Sequence, residues 1–169
     1  MKASILFVLI VWFVGSYAQA EKATEKLTFN DYGFAISPLE EAKAGQGTYL
    51  MMFLPATDGF APNVNVIAQS YAEGMPAYIA LSKGQFKEFG FELHSEKNVG
   101  ENEVSFEYSG TSQGRKLHWY SKAVQKGRDT IYLITATSTE EQWPKVKSKL
   151  MQCVESFSFL SQKNPQKDQ

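Results

Sequence analysis

The 169-residue sequence predicts an α+β fold, in which helices pack on a mainly antiparallel β-sheet. Turn-forming residues recur at short intervals, and the segments between them mostly have the length of a strand. Two longer segments instead carry apolar residues at helical spacing. The elements follow the order four strands, helix, four strands, helix, which is typical of a sheet with helices packed on it.

Eight segments are rich in β-branched and aromatic residues, which predicts strands. They are residues 27–29, 34–36, 48–54, 63–69, 91–97, 104–108, 116–124 and 130–137. Within 116–124, Leu117, Trp119 and Ala123 alternate with His118, Tyr120 and Lys122, which predicts a strand with one apolar face. Segment 130–137 is apolar on both faces, so we expect a central strand that is covered on both sides.

Two helices are predicted to cover the sheet. The first spans about residues 76–89, with Pro76 at its start and Gly90 after its end. The second follows the capping-box pattern of residues 139–142, in which Glu140 and Glu141 are expected to complement the helix dipole. Its apolar residues recur at three- and four-residue spacings: Trp143, Val146, Leu150, Cys153, Val154 and Phe157.

The first twenty residues have the pattern of a secretory signal peptide. Lys2 precedes an uncharged apolar run, and Ala18-Gln19-Ala20 is the small-x-small pattern that signal peptidases cut. We therefore expect residues 1–20 to be removed. The sequence then predicts a polar leader at 21–26, a single globular domain at 27–160 and a disordered tail at 161–169.

The composition indicates in which compartment the protein works and which classes of partner it does not bind. The only cysteine is Cys153, and no Asn-x-Ser/Thr acceptor occurs, which favours a bacterial envelope over a eukaryotic secretory route. We expect a soluble periplasmic or secreted protein without a permanent membrane anchor. A formal net charge of −1 provides no cationic field, so no nucleic-acid partner is expected.

The order of these segments resembles the PsbP-like family, a fold shared by the photosystem PsbP subunit, the Ran-binding Mog protein and exported bacterial groups such as the DcrB-like and LpqN-like proteins. The similar stretches are residues 32–38 (Tyr-Gly-Phe-Ala-Ile-Ser-Pro), 60–66 (Phe-Ala-Pro-Asn-Val-Asn-Val), 132–137, and the capped helix that closes on Ser156-Phe157. The resemblance implies an α/β/α sandwich around an antiparallel sheet. It implies no chemistry, because proteins of one fold differ in function.

A hydrolase site is the first chemical hypothesis. Residues 110–114 match the G-x-S-x-G nucleophile pattern around Ser112, and His118 follows six residues later. The pattern joins two predicted strands, however, and lacks the helix that a nucleophile elbow requires. A hairpin loop explains both glycines, Gly110 and Gly114. His118 is expected to be a hydrogen-bonded sheet residue.

A metal site is the second hypothesis. Glu92, His94 and Glu96 alternate along one predicted strand, so their side chains are expected to share one face. Carboxylate and imidazole groups in that arrangement are possible ligands for a divalent ion. The alternative is a solvated strand face opposite Phe91 and Leu93.

Residues of a surface loop and the following strand are candidates for partner binding. Phe60 either anchors a partner or packs beneath its own loop. Asn63 and Asn65 are expected on one face, where they either satisfy loop backbone groups or line a groove.

The sequence as a whole predicts a non-enzymatic binding or assembly module of the cell envelope that needs no cofactor and whose partner is an envelope protein or component. A hydrolase using Ser112 or His118 is one alternative. A second is a small-molecule or lipid carrier with a cavity among Tyr78, Phe86, Phe89 and Trp119, unless these aromatics are plain core. Cys153 is expected to be a buried, unreactive thiol.

Overall fold

The computed structural model describes residues 26–29, 33–37, 39, 43–44 and 50–160. The predicted signal peptide at 1–20, residues 21–25 of the leader and the predicted tail at 161–169 lie outside the described residues.

All eight predicted strands and both predicted helices are confirmed. The strands are β1 (Leu27–Phe29), β2 (Phe34–Ile36), β3 (Lys43–Ala44), β4 (Leu50–Phe53), β5 (Asn63–Ser70), β6 (Glu92–Asn98), β7 (Glu103–Ser112), β8 (Arg115–Lys126), β9 (Thr130–Thr139) and β10 (Ser158–Phe159). The helices are α1 (Gly74–Glu88) and α2 (Trp143–Glu155). The two-residue strands β3 and β10 were not predicted, because so short a pairing leaves no periodic pattern.

Seven strands form one antiparallel sheet in the order β3-β4-β5-β9-β8-β7-β6, while β1, β2 and β10 form a small second sheet. The apolar strand β9 lies between β5 and β8, as predicted from its two apolar faces. Its residues Ile131, Ile134 and Ala136 are completely buried. The central position follows because only an inner strand can bury both of its faces.

The helices lie on opposite faces of the large sheet, which gives the α/β/α sandwich. We call these the α1 face and the α2 face. On the α1 face Leu117, Trp119 and Ala123 pack with Tyr78 and Phe86 of the helix in one core. On the α2 face a second core is formed by residues such as Val64, Ile134, Leu150 and Val154, with Phe34 and Ile36 of the small sheet.

The polar side of strand β8 is covered as well as its apolar side. His118, Tyr120 and Lys122 face α2 and are buried, and His118 is hydrogen-bonded as expected. The three side chains are buried because α2 covers this part of the sheet. A buried polar row needs partners, since an unpaired polar group in the interior costs free energy.

The start of α2 confirms the predicted capping bonds and corrects the role of the two acids. The Thr139 backbone N–H donates to Gln142 Oε1 at 3.3 Å, and the Gln142 N–H donates to Thr139 Oγ1 at 3.2 Å. These bonds close a turn, and the helix begins at Trp143 with no acidic residue in its first turn. Glu140 and Glu141 therefore precede the helix. The expectation that they complement the helix dipole from its first turn is wrong.

Candidate functional site

A cluster of charged and aromatic side chains lies where the N-terminal end of α2 meets the sheet. We call Glu107, His118, Glu140, Trp143 and Lys147 the histidine cluster. Its members come from β7, β8, the turn after β9 and the first turns of α2. Antiparallel pairing of β7 with β8 brings their side chains to one face, and α2 closes over them.

His118 occupies the centre of the cluster with both ring nitrogens on carboxylates. Nδ1 lies 2.9 Å from Glu140 Oε2, and Nε2 lies 3.1 Å from Glu107 Oε1. The side chain is 6% exposed. Only the imidazolium can donate hydrogen bonds from both nitrogens, whereas a neutral ring can donate to only one of the two carboxyl groups.

Two aromatic rings sandwich the His118 imidazole. The Trp143 indole stacks on it with centroids 4.2 Å apart, and His94 of β6 stacks with centroids 5.2 Å apart. His94 Nε2 in turn lies 2.8 Å from Ser109 Oγ. The stacked rings therefore connect β6, at the edge of the sheet, with helix α2.

One carboxylate oxygen of Glu107 accepts hydrogen bonds from three side chains. Its Oε1 accepts from Lys147 Nζ at 2.8 Å, from Trp143 Nε1 at 3.1 Å and from His118. Burial acts to raise the pKa of the Glu107 carboxyl, but the hydrogen bonds from Lys147, Trp143 and His118 together lower it below its usual value. The carboxylate is thus held ionised between sheet and helix.

A second charged contact, centred on the buried Lys122, lies at the far end of α2. The Lys122 ammonium lies 3.0 Å from Glu103 Oε1 and 3.3 Å from Glu155 Oε2, and the Tyr120 hydroxyl donates a short hydrogen bond to Glu155. Burial, followed by the bond to Glu155, raises the pKa of Tyr120 to about 12. All these polar groups act as paired structural contacts.

A groove of about 520 Å³ lies on the outer side of α2, against the loop that joins β4 to β5. Its lining combines apolar Leu54, Pro55, Pro62 and Val146 with charged Asp58, Glu141, Lys145 and Lys149. The loop turns tightly at Asp58-Gly59, where φ is +53° and +74° and the Thr57 and Phe60 backbones exchange two hydrogen bonds. That geometry is typical of a two-residue hairpin turn.

Gln142 fixes the loop to the helix. Its Nε2 lies 2.7 Å from both the carbonyl oxygen and the hydroxyl of Thr57, and 3.2 Å from the Phe60 carbonyl. The side chain is buried. The groove is therefore preformed, because its two walls are joined at one end by hydrogen bonds within the chain.

The three metal candidates do not share one face, which corrects the expectation from alternation. A β-bulge between Leu93 and Ser95 shifts the register, so Glu92 and His94 lie on the α2 face and Glu96 on the α1 face. Glu96 pairs with Lys83 of α1 at 2.8 Å. In the described part of the chain, no group of three or more His, Cys, Asp or Glu residues is placed to hold a metal ion.

The side chains of the partner-binding candidates lie on the α1 face and do not line the groove. Phe60 is partly buried and packs against the core there, as in the alternative that placed it beneath its own loop. Asn63 and Asn65 share this face as expected, pairing with Thr137 and Thr135. Asn63 Nδ2 donates to the Ala61 carbonyl at 3.2 Å, so it satisfies a loop backbone group.

The structure separates the two hydrolase candidates. Ser112 is buried on the α1 face and His118 on the α2 face, because Ser112 pairs with Arg115 and His118 with Ser109. The hairpin turn consists of Gln113 and Gly114 alone, both with positive φ. The sequence placed Gly110 in the hairpin loop, and this was wrong, because Gly110 lies within β7.

The other candidates are core residues except Phe89. The space bounded by Tyr78 and Phe86 is about 10 Å³, which is close to the volume that one water needs. Trp119 is buried as well, whereas Phe89 is half exposed at the end of α1. Cys153 is buried as predicted, with Sγ 3.3 Å from the Ser37 carbonyl, and burial raises its thiol pKa to about 12.

Sequence similarity and structural similarity agree on the fold. The PsbP family matches residues 77–159, which run from α1 to β10. The chain has a PsbP/Mog-like fold. No curated protein sequence is significantly similar to it.

Solved structures share the PsbP/Mog-like fold at low identity. LpqN, involved in cell envelope biogenesis of Mycobacterium tuberculosis, is 14% identical with a TM-score of 0.61, over 81% of this chain and 90% of LpqN. The Ran-binding protein Mog1p of Saccharomyces cerevisiae is 8% identical with a TM-score of 0.56, over 86% and 97%. CyanoP, the cyanobacterial PsbP of Synechocystis, is 14% identical with a TM-score of 0.50, over 86% and 98%. At these identities the likeness concerns the fold alone.

Sequence reasoning missed the histidine cluster and the groove within this PsbP/Mog-like fold. One signal was present, because three polar residues alternate along β8 in a chain whose next strand is apolar on both faces. Partners at Glu107 and Glu140 could not be found, since they depend on strand register and on how α2 docks.

Proposed function

We propose that this protein is an exported, non-enzymatic binding module of the bacterial cell envelope, of the LpqN-like or DcrB-like type, that holds a segment of a partner protein in the groove. The observation that carries the proposal is the preformed groove beside α2. Its volume of about 520 Å³ is within the usual range of ligand sites, roughly 300–1,000 Å³.

The composition of the groove favours a peptide segment as its occupant. The accessible apolar side chains of Pro55 and Val146 can pack on a bound segment, while Asp58 and Lys145 lie exposed on opposite walls. An extended segment that carries a basic and an acidic residue would match that rim. Preformed sites of this kind bind without the cost of ordering their own walls.

The arrangement of the acids and histidines supports binding over catalysis. A general base or nucleophile needs a free reacting atom that substrate can reach. In the histidine cluster both nitrogens of His118 contact carboxylates, and Glu107 Oε1 accepts three bonds. These groups hold α2 on the sheet, which is a structural role.

Location in the envelope rests on the signal-peptide pattern of residues 1–20 and on the likeness to LpqN, which acts in cell envelope biogenesis. Among the described residues no helix is long and apolar enough to cross a bilayer. Periplasmic extraction followed by sequencing of the mature amino terminus tests this part. We expect release by osmotic shock and a chain that begins at Glu21, and retention in salt-washed membranes would contradict it.

Site-specific photocrosslinking tests the binding role. A photoreactive amino acid at Lys145, on the groove wall, should capture a discrete partner in the producing cells, whereas the same residue at Lys87, on exposed α1, should not. Capture should fall when Asp58→Asn is added, a change that keeps a residue tolerant of positive φ and removes the charge. Equal capture from positions 145 and 87 would refute the groove as the binding site. So would capture from position 145 that is unchanged by Asp58→Asn.

A further inference from the structure

One short turn connects the histidine cluster to the groove. Glu140 contacts His118 Nδ1, and Trp143 stacks on the same ring. Between them Gln142 points to the other side and binds Thr57 and Phe60 of the groove loop. Glu140, Gln142 and Trp143 of this turn are therefore held from both sides, which offers a route by which a shift on one side reaches the other.

The contact on the His118 side depends on a proton. In the imidazolium both nitrogens donate, one to Glu107 and one to Glu140. In the neutral ring one nitrogen carries a lone pair that faces a carboxylate oxygen at about 3 Å, and that contact becomes repulsive. Loss of the proton therefore loosens either Glu140 or Glu107 from the ring.

Charged and titratable groups face His118 from every neighbouring element. Strand β6 contributes His94, whose Nδ1 is 3.8 Å from Glu92 Oε1. Strand β7 contributes Glu107, and the turn before α2 contributes Glu140. Lys147 of α2 reaches the cluster through Glu107. Glu107 and Glu140 are the carboxyl groups in direct contact with the ring.

We propose that occupancy of the groove and protonation of His118 are linked through residues 140–143. This inference rests on the groove being the binding site. With the proton bound, Glu140 and Trp143 hold the turn in place and Gln142 holds the loop, so the groove keeps its shape. Linkage is reciprocal, and a partner that prefers this shape favours the protonated ring to the same extent.

NMR on the mature chain tests the link without a partner. The protein is titrated between about pH 5 and 8, the range in which imidazoles change charge, while the His118 ring, the Trp143 indole N–H and the Gln142 side-chain amide are followed. We expect all three signals to share one midpoint. In Glu140→Gln the ring should still titrate, but the Gln142 shift should be lost because the repelling carboxylate is gone.

His94→Gln serves as the matched control, since it removes the stacked ring and leaves both carboxylates of His118 in place. It should retain the shared midpoint. A Gln142 amide that does not respond while His118 titrates, or a response that persists in Glu140→Gln, would overturn the proposal. Glu140 is half exposed, so this variant should fold.

Crosslinking from position 145 on both sides of the measured midpoint then relates the link to binding. Capture should fall by about fivefold or more above the midpoint, which is the lower end of typical coupling between sites. Capture that stays constant across the midpoint would overturn the link to binding. A shared midpoint with no capture at any pH would instead refute the proposed function and leave the coupling within the chain standing.

Discussion

Gly110 lies near the C-terminal end of strand β7, beneath the ring of Phe91. A Cβ built on Gly110 would overlap Cδ1 of that ring and come within 3.0 Å of Cε1 and 3.2 Å of Cγ. The ring cannot move freely, because it also packs on Trp119 with centroids 4.8 Å apart. The glycine is therefore needed for a close approach between strand and ring, an arrangement known from glycines that aromatic side chains cover.

The expected cost of Gly110→Ala follows from these contacts. Adding a methyl group to a packed site costs about 1–3 kcal/mol, and loss of the contact with Trp119 adds about 0.5–1.5 kcal/mol. Replacing glycine restricts the unfolded chain and returns about 0.4–1 kcal/mol. We expect the free energy of unfolding to fall by about 2 kcal/mol.

Gly84 is the matched control for this substitution. It lies within α1, and a Cβ there would meet nothing within 4 Å. Gly84→Ala should therefore raise the free energy of unfolding by about 0.5–1 kcal/mol, because alanine favours the helix. Urea unfolding followed by circular dichroism measures both variants at constant m-value.

A double-mutant cycle decides whether Phe91 is the cause. In a Phe91→Ala background the overlap is absent, so Gly110→Ala should cost far less than in the native background. Equal costs in the two backgrounds would refute the steric explanation. A Gly110→Ala protein as stable as the parent would refute the assignment of the glycine to close packing.

Three further predictions concern the contacts around α2. The pKa of Glu107 is lowered in the folded state. The ionised carboxylate therefore contributes fully to stability above the pKa of the unfolded chain, about 4.3, and this contribution is lost as the pH falls through the pKa of the folded state. Glu107→Gln should lower the free energy of unfolding by about 2 kcal/mol at pH 7. Unfolding curves measured at low pH should show this difference disappear. In the control Glu92→Gln, at an exposed residue, the free energy of unfolding should change little at any pH. Gln142→Ala should cost about 1–2 kcal/mol and expose the 57–60 loop to limited proteolysis, whereas Gln152→Ala, exposed on the same helix, should leave cleavage unchanged. Cys153, buried and with its thiol pKa raised to about 12, should react with a thiol reagent slowly in the native protein and rapidly in urea, and rapid native labelling would contradict its burial.

Local patterns explain why the elements could be predicted. Alternation along 116–124 and the two apolar faces of 130–137 identified the strands and the central place of β9, since side chains of a strand alternate whatever its surroundings. The spacing of residues 139 and 142 likewise predicted their reciprocal bonds. The fold class needed no more than these near-neighbour relations.

The same patterns failed where two segments meet. Alternation placed Glu92, His94 and Glu96 on one face, but the bulge beside His94 moves Glu96 to the other. A bulge depends on the partner strand, so the sequence of β6 does not reveal it. Gly110 was assigned to a loop for a similar reason, because Phe91 lies nineteen positions away in the chain and reaches it only through the pairing of β6 with β7.

By itself, the sequence determined the α+β class, the order of eight strands and both helices, and the burial of Cys153, because these depend on local periodicity and apolar content. Only the tertiary structure decided that His118 lies between Glu107 and Glu140 and that Gln142 closes one end of a groove. Those contacts join residues 11, 22 and 85 positions apart. They depend on sheet register and helix docking, which are properties of the packed chain and not of any one segment.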